Sequence, residues 1–178
     1  MSRTRMAIVN RHIKDFFFTY YLLIAAIVFV LGVYFIVALS KAETIFGNLI
    51  PVIGATLGFL YFVQKQKIDE TTLFEKLFTA FNKSYSELNK DLQAIRDGTL
   101  DPLKIRRVLD NYFNLCAEEY HFYHDGRIPQ SVWRSWCLGM RDHMKVKPVA
   151  DYFNEEVTAE THYGVTKKMI DDGAGCPD

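Results

Sequence analysis

Residues 16–39, FFFTYYLLIAAIVFVLGVYFIVAL, and residues 45–63, IFGNLIPVIGATLGFLYFV, decide the fold. No Asp, Glu, Lys, Arg or His stands between Asp15 and Lys41, nor between Glu43 and Lys65. A helix crossing the hydrocarbon core of a bilayer needs about 20 apolar residues, and both stretches meet that length. The pair reads as a transmembrane hairpin over residues 1–64. A cleaved signal peptide is the alternative for the first stretch, given its basic start and the small residues Ala38, Ser40 and Ala42. Signal cores run to about 7–15 residues, and this one is longer.

Charge sets the expected topology. Arg3, Arg5, Arg11 and Lys14 precede the first span, Lys65 and Lys67 follow the second, and the connection holds only Lys41 and Glu43. Basic flanks stay in the cytoplasm, so both termini are expected there. The outer loop is then about five residues, too short for an external receptor domain. The formal net charge is zero over 178 residues, but Lys65 onward carries 16 Lys/Arg against 19 Asp/Glu, a mildly acidic domain. The length after the hairpin suits one small soluble domain. Three widely spaced cysteines, Cys116, Cys137 and Cys176, with no CxxC pair, argue against a disulfide framework or structural zinc and fit a reducing compartment.

In the second span Gly47, Gly54 and Gly58 fall near one helical face, and Gly54 to Gly58 is a GxxxG spacing that lets helices approach closely in lipid. That face has two readings: packing on the first span, or contact between protomers of a homo-oligomer. Pro51 is placed to kink the helix. A coupled transporter needs an intramembrane ionisable residue, and the spans have none.

Residues 65–97 contain neither Gly nor Pro. Phe74, Phe78, Phe81, Tyr85, Leu88, Leu92 and Ile95 follow a 4, 3 alternation, a heptad seam. It reads either as an inter-chain coiled coil, on a stalk about 50 Å long at 1.5 Å per residue, or as an amphipathic helix packed on its own domain. Residues 98–172 then form a helical domain. Asp97-Gly98 ends the stalk helix, and Asp101-Pro102 starts the next as N-cap and first-turn proline. Its apolar stripe runs through 105, 108, 109, 112, 113, 116, 120 and 123. Asp125-Gly126 turns the chain, and Pro129 opens a helix to Met144 whose apolar face is Trp133, Trp136, Cys137, Met140 and Met144. Pro148 marks a break before a short helix over 149–157, and a last helix is expected over 161–170. Residues 173–178 read as a disordered tail. No strand pattern appears, so the fold class is all-α: a transmembrane helical hairpin plus a cytosolic bundle of about four to five helices.

Glu118, His121, His124 and Asp125 cluster at one helix end. Glu118-x-x-His121 has the spacing of di-iron bundles, which need two such motifs, and only one is present. Histidines at a helix C-terminus are also favoured by its dipole, so no metal or other cofactor is expected. Ser131, Ser135 and Cys137 lie near His143 in sequence without a third orienting group, and no phosphate loop or GxGxxG occurs. No enzyme is expected.

Arg127 to Lys147 holds Arg127, Arg134, Arg141, Lys145 and Lys147 against the single acid Asp142. Helical spacing puts Arg141 and Lys145 within about 20° of Arg134, on a stripe beside the tryptophan face. Arg with Trp suits an anionic, base-containing ligand, through phosphate hydrogen bonds and stacking. Arg127, Trp133, Arg134, Trp136, Arg141 and Lys145 are therefore the candidate ligand-binding residues, with Arg106 and Arg107 as additions. Two alternatives compete. The stripe pairs with Asp151, Glu155, Glu156 and Glu160, or it meets anionic headgroups of the inner leaflet.

The run LDNYFNLCAEEYHFYHDGRIPQSVWRSWCLGM (109–140), with PVADYFNEEV (148–157) and THYGVTKKMIDD (161–172), resembles a broad group of uncharacterised prokaryotic membrane proteins. They have one or two N-terminal spans and a small helical cytosolic domain. The shared positions are Asn111 to Phe113, Gly126 with Ile128, and Trp133 with Trp136. They cover about residues 103–172, and Tyr152-Phe153 stands where a tryptophan is frequent. The architecture is also similar to membrane effectors of prokaryotic antiviral systems, such as two-span CRISPR-associated effectors gated by cyclic oligoadenylate. No diagnostic ligand motif of theirs is matched. The resemblance implies a protein of the prokaryotic inner membrane, with a lipid bilayer and a cyclic oligonucleotide rather than duplex nucleic acid as partners. A membrane adaptor that recruits a cytosolic protein without a small ligand is the alternative.

Overall fold

Among the described residues there are five helices: α1 Arg3–Leu39, α2 Ile45–Arg96, α3 Pro102–His124, α4 Gln130–His143 and α5 Lys147–Glu156. The computed structural model describes residues 3–39, 44–158 and 160–166, and no strand occurs among them. The chain divides into two units, residues 1–72 and 73–178, and α2 contributes to both.

In the first unit, α1 and the start of α2 are both long and apolar enough to cross a membrane. Phe16–Leu39 has a mean hydropathy of 3.0, and the best window of α2 reaches 1.7. Their side chains stay largely exposed, as Val30, Tyr34, Phe46 and Ile50 illustrate. The two segments touch at defined points. A Cβ on Gly32 would come within 3.0 Å of Val52 Cγ1, so glycine permits the approach there. Lys67 donates from Nζ to the Phe18 carbonyl at 3.0 Å and sits 5.0 Å from the Tyr21 ring. That ammonium is held by a helix carbonyl and a π face. α2 continues through Pro51 without interruption.

Gly54 and Gly58 do not mediate this contact. A Cβ at Gly47, Gly54 or Gly58 would meet nothing within 4 Å. Of the two readings of the glycine face, packing on α1 is therefore not what the fold uses. The side chains of Arg3, Arg5, Arg11 and Lys14, and residues 40–43 with Lys41 and Glu43, lie outside the described residues.

The second unit begins inside the expected stalk. Leu73 to Arg96 belong with α3, α4 and α5. Phe81, Leu92 and Ile95 of the heptad seam are buried in one core with Val108, Leu109, Phe113, Trp133, Val149 and Phe153, with Leu77 and Leu88 packed against it. Its own domain thus covers these seam positions, while Phe78 and Tyr85 stay exposed. Each fully buried aliphatic or aromatic side chain here contributes roughly 1.5–3 kcal/mol.

Local signals place the elements. Gly98 and Gly126 take positive φ (67° and 74°) after α2 and α3, where only glycine turns without strain. The Asp101 carboxylate accepts from the Leu103 N–H at 3.0 Å, with Pro102 in the first turn. Pro129 precedes α4 as its N-cap. Pro148 opens α5 from within its first turn instead of marking a break, because its missing N–H is an orphan there in any case. The expected last helix differs more. Residues 160–164 form a turn, with Tyr163 (φ 53°) and Gly164 (φ 96°) in the left-handed region, and Val165 then drops into the core. Residues 167–178, including the expected disordered tail, lie outside the described residues. Cys116 is a free, buried thiol. Cys137 is disulfide-bonded, against the sequence expectation.

Candidate functional site

Three helices of the second unit enclose a cavity of about 560 Å³. α2 lines it with Phe78, Asn82 and Tyr85, which sit at i, i+4 and i+7 and so share one face. α3 contributes Tyr112, Leu115, Cys116 and Glu119, again within seven residues of one another on one face. α4 contributes Ser131, Val132, Ser135, Trp136, Gly139 and Met140. Ser131, Ser135 and Gly139 repeat at every fourth position, a row of small side chains along α4. A Cβ at Gly139 would meet nothing within 4 Å. The cavity exists because this row leaves the space unfilled.

Four of the lining residues are aromatic: Phe78, Tyr85, Tyr112 and Trp136. The Trp136 indole lies parallel to the Phe78 ring (6.1 Å, 13°) and meets Phe81 edge-on at 5.7 Å. Polar groups are few. The Tyr85 hydroxyl is hydrogen-bonded with His143 Nε2 at 3.0 Å, and Tyr112 packs against the His143 ring at 5.2 Å. His143 is buried, and loss of solvation holds it below the usual imidazole range, aided by Arg96. Arg96 itself pairs with Asp142 at 2.8 Å, and Lys145 reaches the other Asp142 oxygen at 3.1 Å.

Glu119 is the exception to every rule of placement. Its side chain is only 6% exposed, it faces the cavity, and no hydrogen bond or ion pair reaches it among the described residues. Burial lifts its carboxyl to about 8, and the neighbouring Glu118 adds to the shift. The same burial raises the Tyr112 hydroxyl and the Cys116 thiol well above their ordinary values. At neutral pH the cavity therefore holds a protonated carboxyl, two phenols and a thiol, and no fixed charge. Pockets of 300–1,000 Å³ with apolar walls and a few convergent polar groups are the usual small-molecule sites.

The residues expected to bind a ligand are dispersed. Trp133 is fully buried, stacked on Tyr123 (5.1 Å, 15°) and against Tyr120 (5.5 Å). It lies on the inward face of α4 with Cys137 and Met140, so it is a core residue and offers no face to a ligand. Trp136 is the one predicted residue that lines the cavity. Arg127 and Arg134 are exposed and outside it, Arg141 is half-buried, and Lys145 is exposed and engaged with Asp142. Among the described residues, two pairings with the acidic C-terminal part are Arg106 with Glu156 at 2.7 Å and Lys147 with Asp151 at 2.5 Å. His121 Nε2 and His124 Nδ1 lie 3.8 and 3.9 Å from the Asp125 carboxylate at a helix end, and no group of three metal-ligating side chains converges among the described residues.

Sequence reasoning missed Glu119. The signal was present: 119 lies seven residues after Tyr112 on the apolar stripe of α3, a carboxyl where the pattern asks for an apolar side chain. The row Ser131, Ser135, Gly139 was equally visible beside it. Comparison of the chain with protein-family models, with curated proteins and with solved structures finds no match to any of them.

Proposed function

We propose that this protein is a ligand-responsive membrane effector. In this reading α1 and the first part of α2 form a transmembrane hairpin that associates with copies of itself through Gly54 and Gly58. The helical unit lies in the cytoplasm, and occupancy of its cavity controls the hairpin. One observation carries the reading: α2 supplies both an apolar segment of spanning length and a wall of the cavity, through Phe78, Asn82 and Tyr85. A ligand that binds one arrangement of α2 against α3 and α4 more tightly than another shifts their populations, and equal affinity for both would shift nothing. The contacts Gly32 to Val52 and Lys67 to Phe18 support the hairpin.

The test is reconstitution. The full chain should remain with membranes after carbonate washing. In dye-loaded liposomes, a panel of amines, alcohols and cyclic oligoadenylates should contain compounds that both raise its thermal stability and change dye release. Extraction into the soluble fraction, or stabilising compounds that leave permeability untouched, would overturn it.

A second reading keeps the expected anionic second messenger of an antiviral response. Arg127 and Arg134 are exposed and carry no ion pair among the described residues, which favours phosphate binding at the surface of α4. It predicts that only the cyclic oligoadenylates of the panel act, and that their action is lost on charge reversal at these two positions.

A further inference from the structure

We propose that the cavity between α2, α3 and α4 takes an organic cation, an amine or quaternary ammonium on an aromatic or aliphatic body, with Glu119 as its counter-ion. The inference rests on the reading of this cavity as a ligand site and names the chemistry of the ligand.

The argument begins from what Glu119 lacks. Its carboxyl has no cation and no hydrogen-bond donor beside it among the described residues, and what solvent it meets reaches it through the cavity. Structural acids in helical cores have an Arg or Lys beside them. Here the nearest acid, Glu118, carries the same sign and is exposed. Among the described residues the cavity wall holds no Lys or Arg. An anionic ligand would meet this carboxyl and find no counter-charge, so nucleotides and carboxylates are disfavoured inside. A cation supplies the partner that the sequence omits.

The remaining walls fit the same ligand. Trp136, Phe78, Tyr85 and Tyr112 present aromatic surface around the cavity, and ring faces attract ammonium groups most strongly where water is excluded. Trp136 stays rigid for this task because Phe78 stacks on it and Phe81 abuts it. The row Ser131, Ser135, Gly139 leaves room for the body of the ligand. The Ser131, Ser135 and Asn82 side chains give neutral hydrogen-bonding partners that do not compete for charge.

Charge balance makes a further statement. Below about pH 8 the empty cavity holds Glu119 protonated. A cation then binds the carboxylate form, so one proton leaves Glu119 for solvent as the ligand enters. Affinity for the cation therefore rises with pH up to about 8 and levels off above it. The titratable groups that face Glu119 are Cys116 and Tyr112 on its own helix and Tyr85 on α2; their protons are held beyond this range by burial.

The experiment uses the full chain in detergent micelles and three probes with one body: 3-phenylpropylammonium, 3-phenylpropanol and 3-phenylpropanoate. Calorimetry should show saturable binding of the ammonium, weaker binding of the alcohol and none of the carboxylate. Repeating the ammonium titration in buffers of different ionisation enthalpy should reveal proton release at pH 6.5 that vanishes at pH 9.5. Glu119→Gln keeps the shape and a hydrogen-bonding group, and should weaken the ammonium about 10-fold or more while leaving the alcohol unchanged. Equal binding of ammonium and alcohol, without proton release, would overturn the assignment of charge and leave the cavity standing as a ligand site. Failure of all three probes to bind would overturn both. The proton-release measurement on the unaltered chain decides the matter even if the variant folds poorly.

Discussion

Tyr85 on α2 and His143 at the end of α4 share a hydrogen bond of 3.0 Å, a polar tie between the two helices beside the Arg96–Asp142 ion pair. Tyr85→Phe removes the hydroxyl and leaves a buried imidazole nitrogen without that partner. Loss of a hydrogen bond to a buried group costs about 1–3 kcal/mol. Thermal unfolding of the full chain should show that loss near pH 7. It should shrink in the double variant with His143→Leu, which removes both polar groups.

Acid should destabilise the fold through the same histidine. Its folded value lies below the usual 6.5, so the unfolded chain takes up protons first. That contribution is present above pH 6.5 and is lost as pH falls through the folded value. Unfolding midpoints measured from pH 7 down to pH 5 should drop, and His143→Leu should flatten the slope.

Glu119 acts with the opposite sign. Its folded value of about 8 exceeds the unfolded 4.5, so the folded chain holds a proton that the unfolded one releases. Stability falls as pH rises from 4.5 towards 8 and is level beyond. Glu119→Gln should therefore match the parent near pH 5 and exceed it at pH 8.5 by several degrees in unfolding midpoint.

The two tryptophans of α4 should separate. Trp133 is fully enclosed by Tyr120, Tyr123 and the core, and Trp133→Ala should cost about 3–5 kcal/mol. Trp136 borders open cavity, so Trp136→Ala should cost less and should instead lower ligand affinity. Denaturant melts paired with binding titrations distinguish the two effects.

In the first unit, two glycines should behave differently from a third. Gly32→Val meets Val52 and should weaken the pairing of α1 with α2. A Cβ at Gly54 or Gly58 meets nothing within 4 Å among the described residues, so Gly54→Ile and Gly58→Ile test that face. If copies associate along that face, chemical cross-linking in liposomes should fall for these two variants with monomer stability unchanged. Undiminished cross-linking would remove them from any interface.

Much of the helical layout was legible because its signals are local. Gly98, Asp101-Pro102, Asp125-Gly126 and Pro129 each act on their own turn, and the structure places helix ends at all of them. The apolar segments were legible because length and the absence of charge are enough. The site was not. A stripe of Arg beside Trp is a surface pattern, and whether Trp133 faces outward depends on Tyr120 and Tyr123, which reach it from α3. The cavity depends on three helices meeting around small side chains, and periodicity along a single helix holds no record of that. The turn at Tyr163 and Gly164 was missed because left-handed backbone at a tyrosine leaves no compositional trace.

The buried thiol of Cys116 gives the cavity a reporter that needs no engineering. It is a free cysteine in the wall, one helical turn from Glu119, while Cys137 is already bonded. Its reaction with a small uncharged thiol reagent is slow in the closed fold, since burial disfavours the thiolate. The labelling rate of that one peptide, followed by mass spectrometry in intact cells, would register when the chamber fills and when it opens.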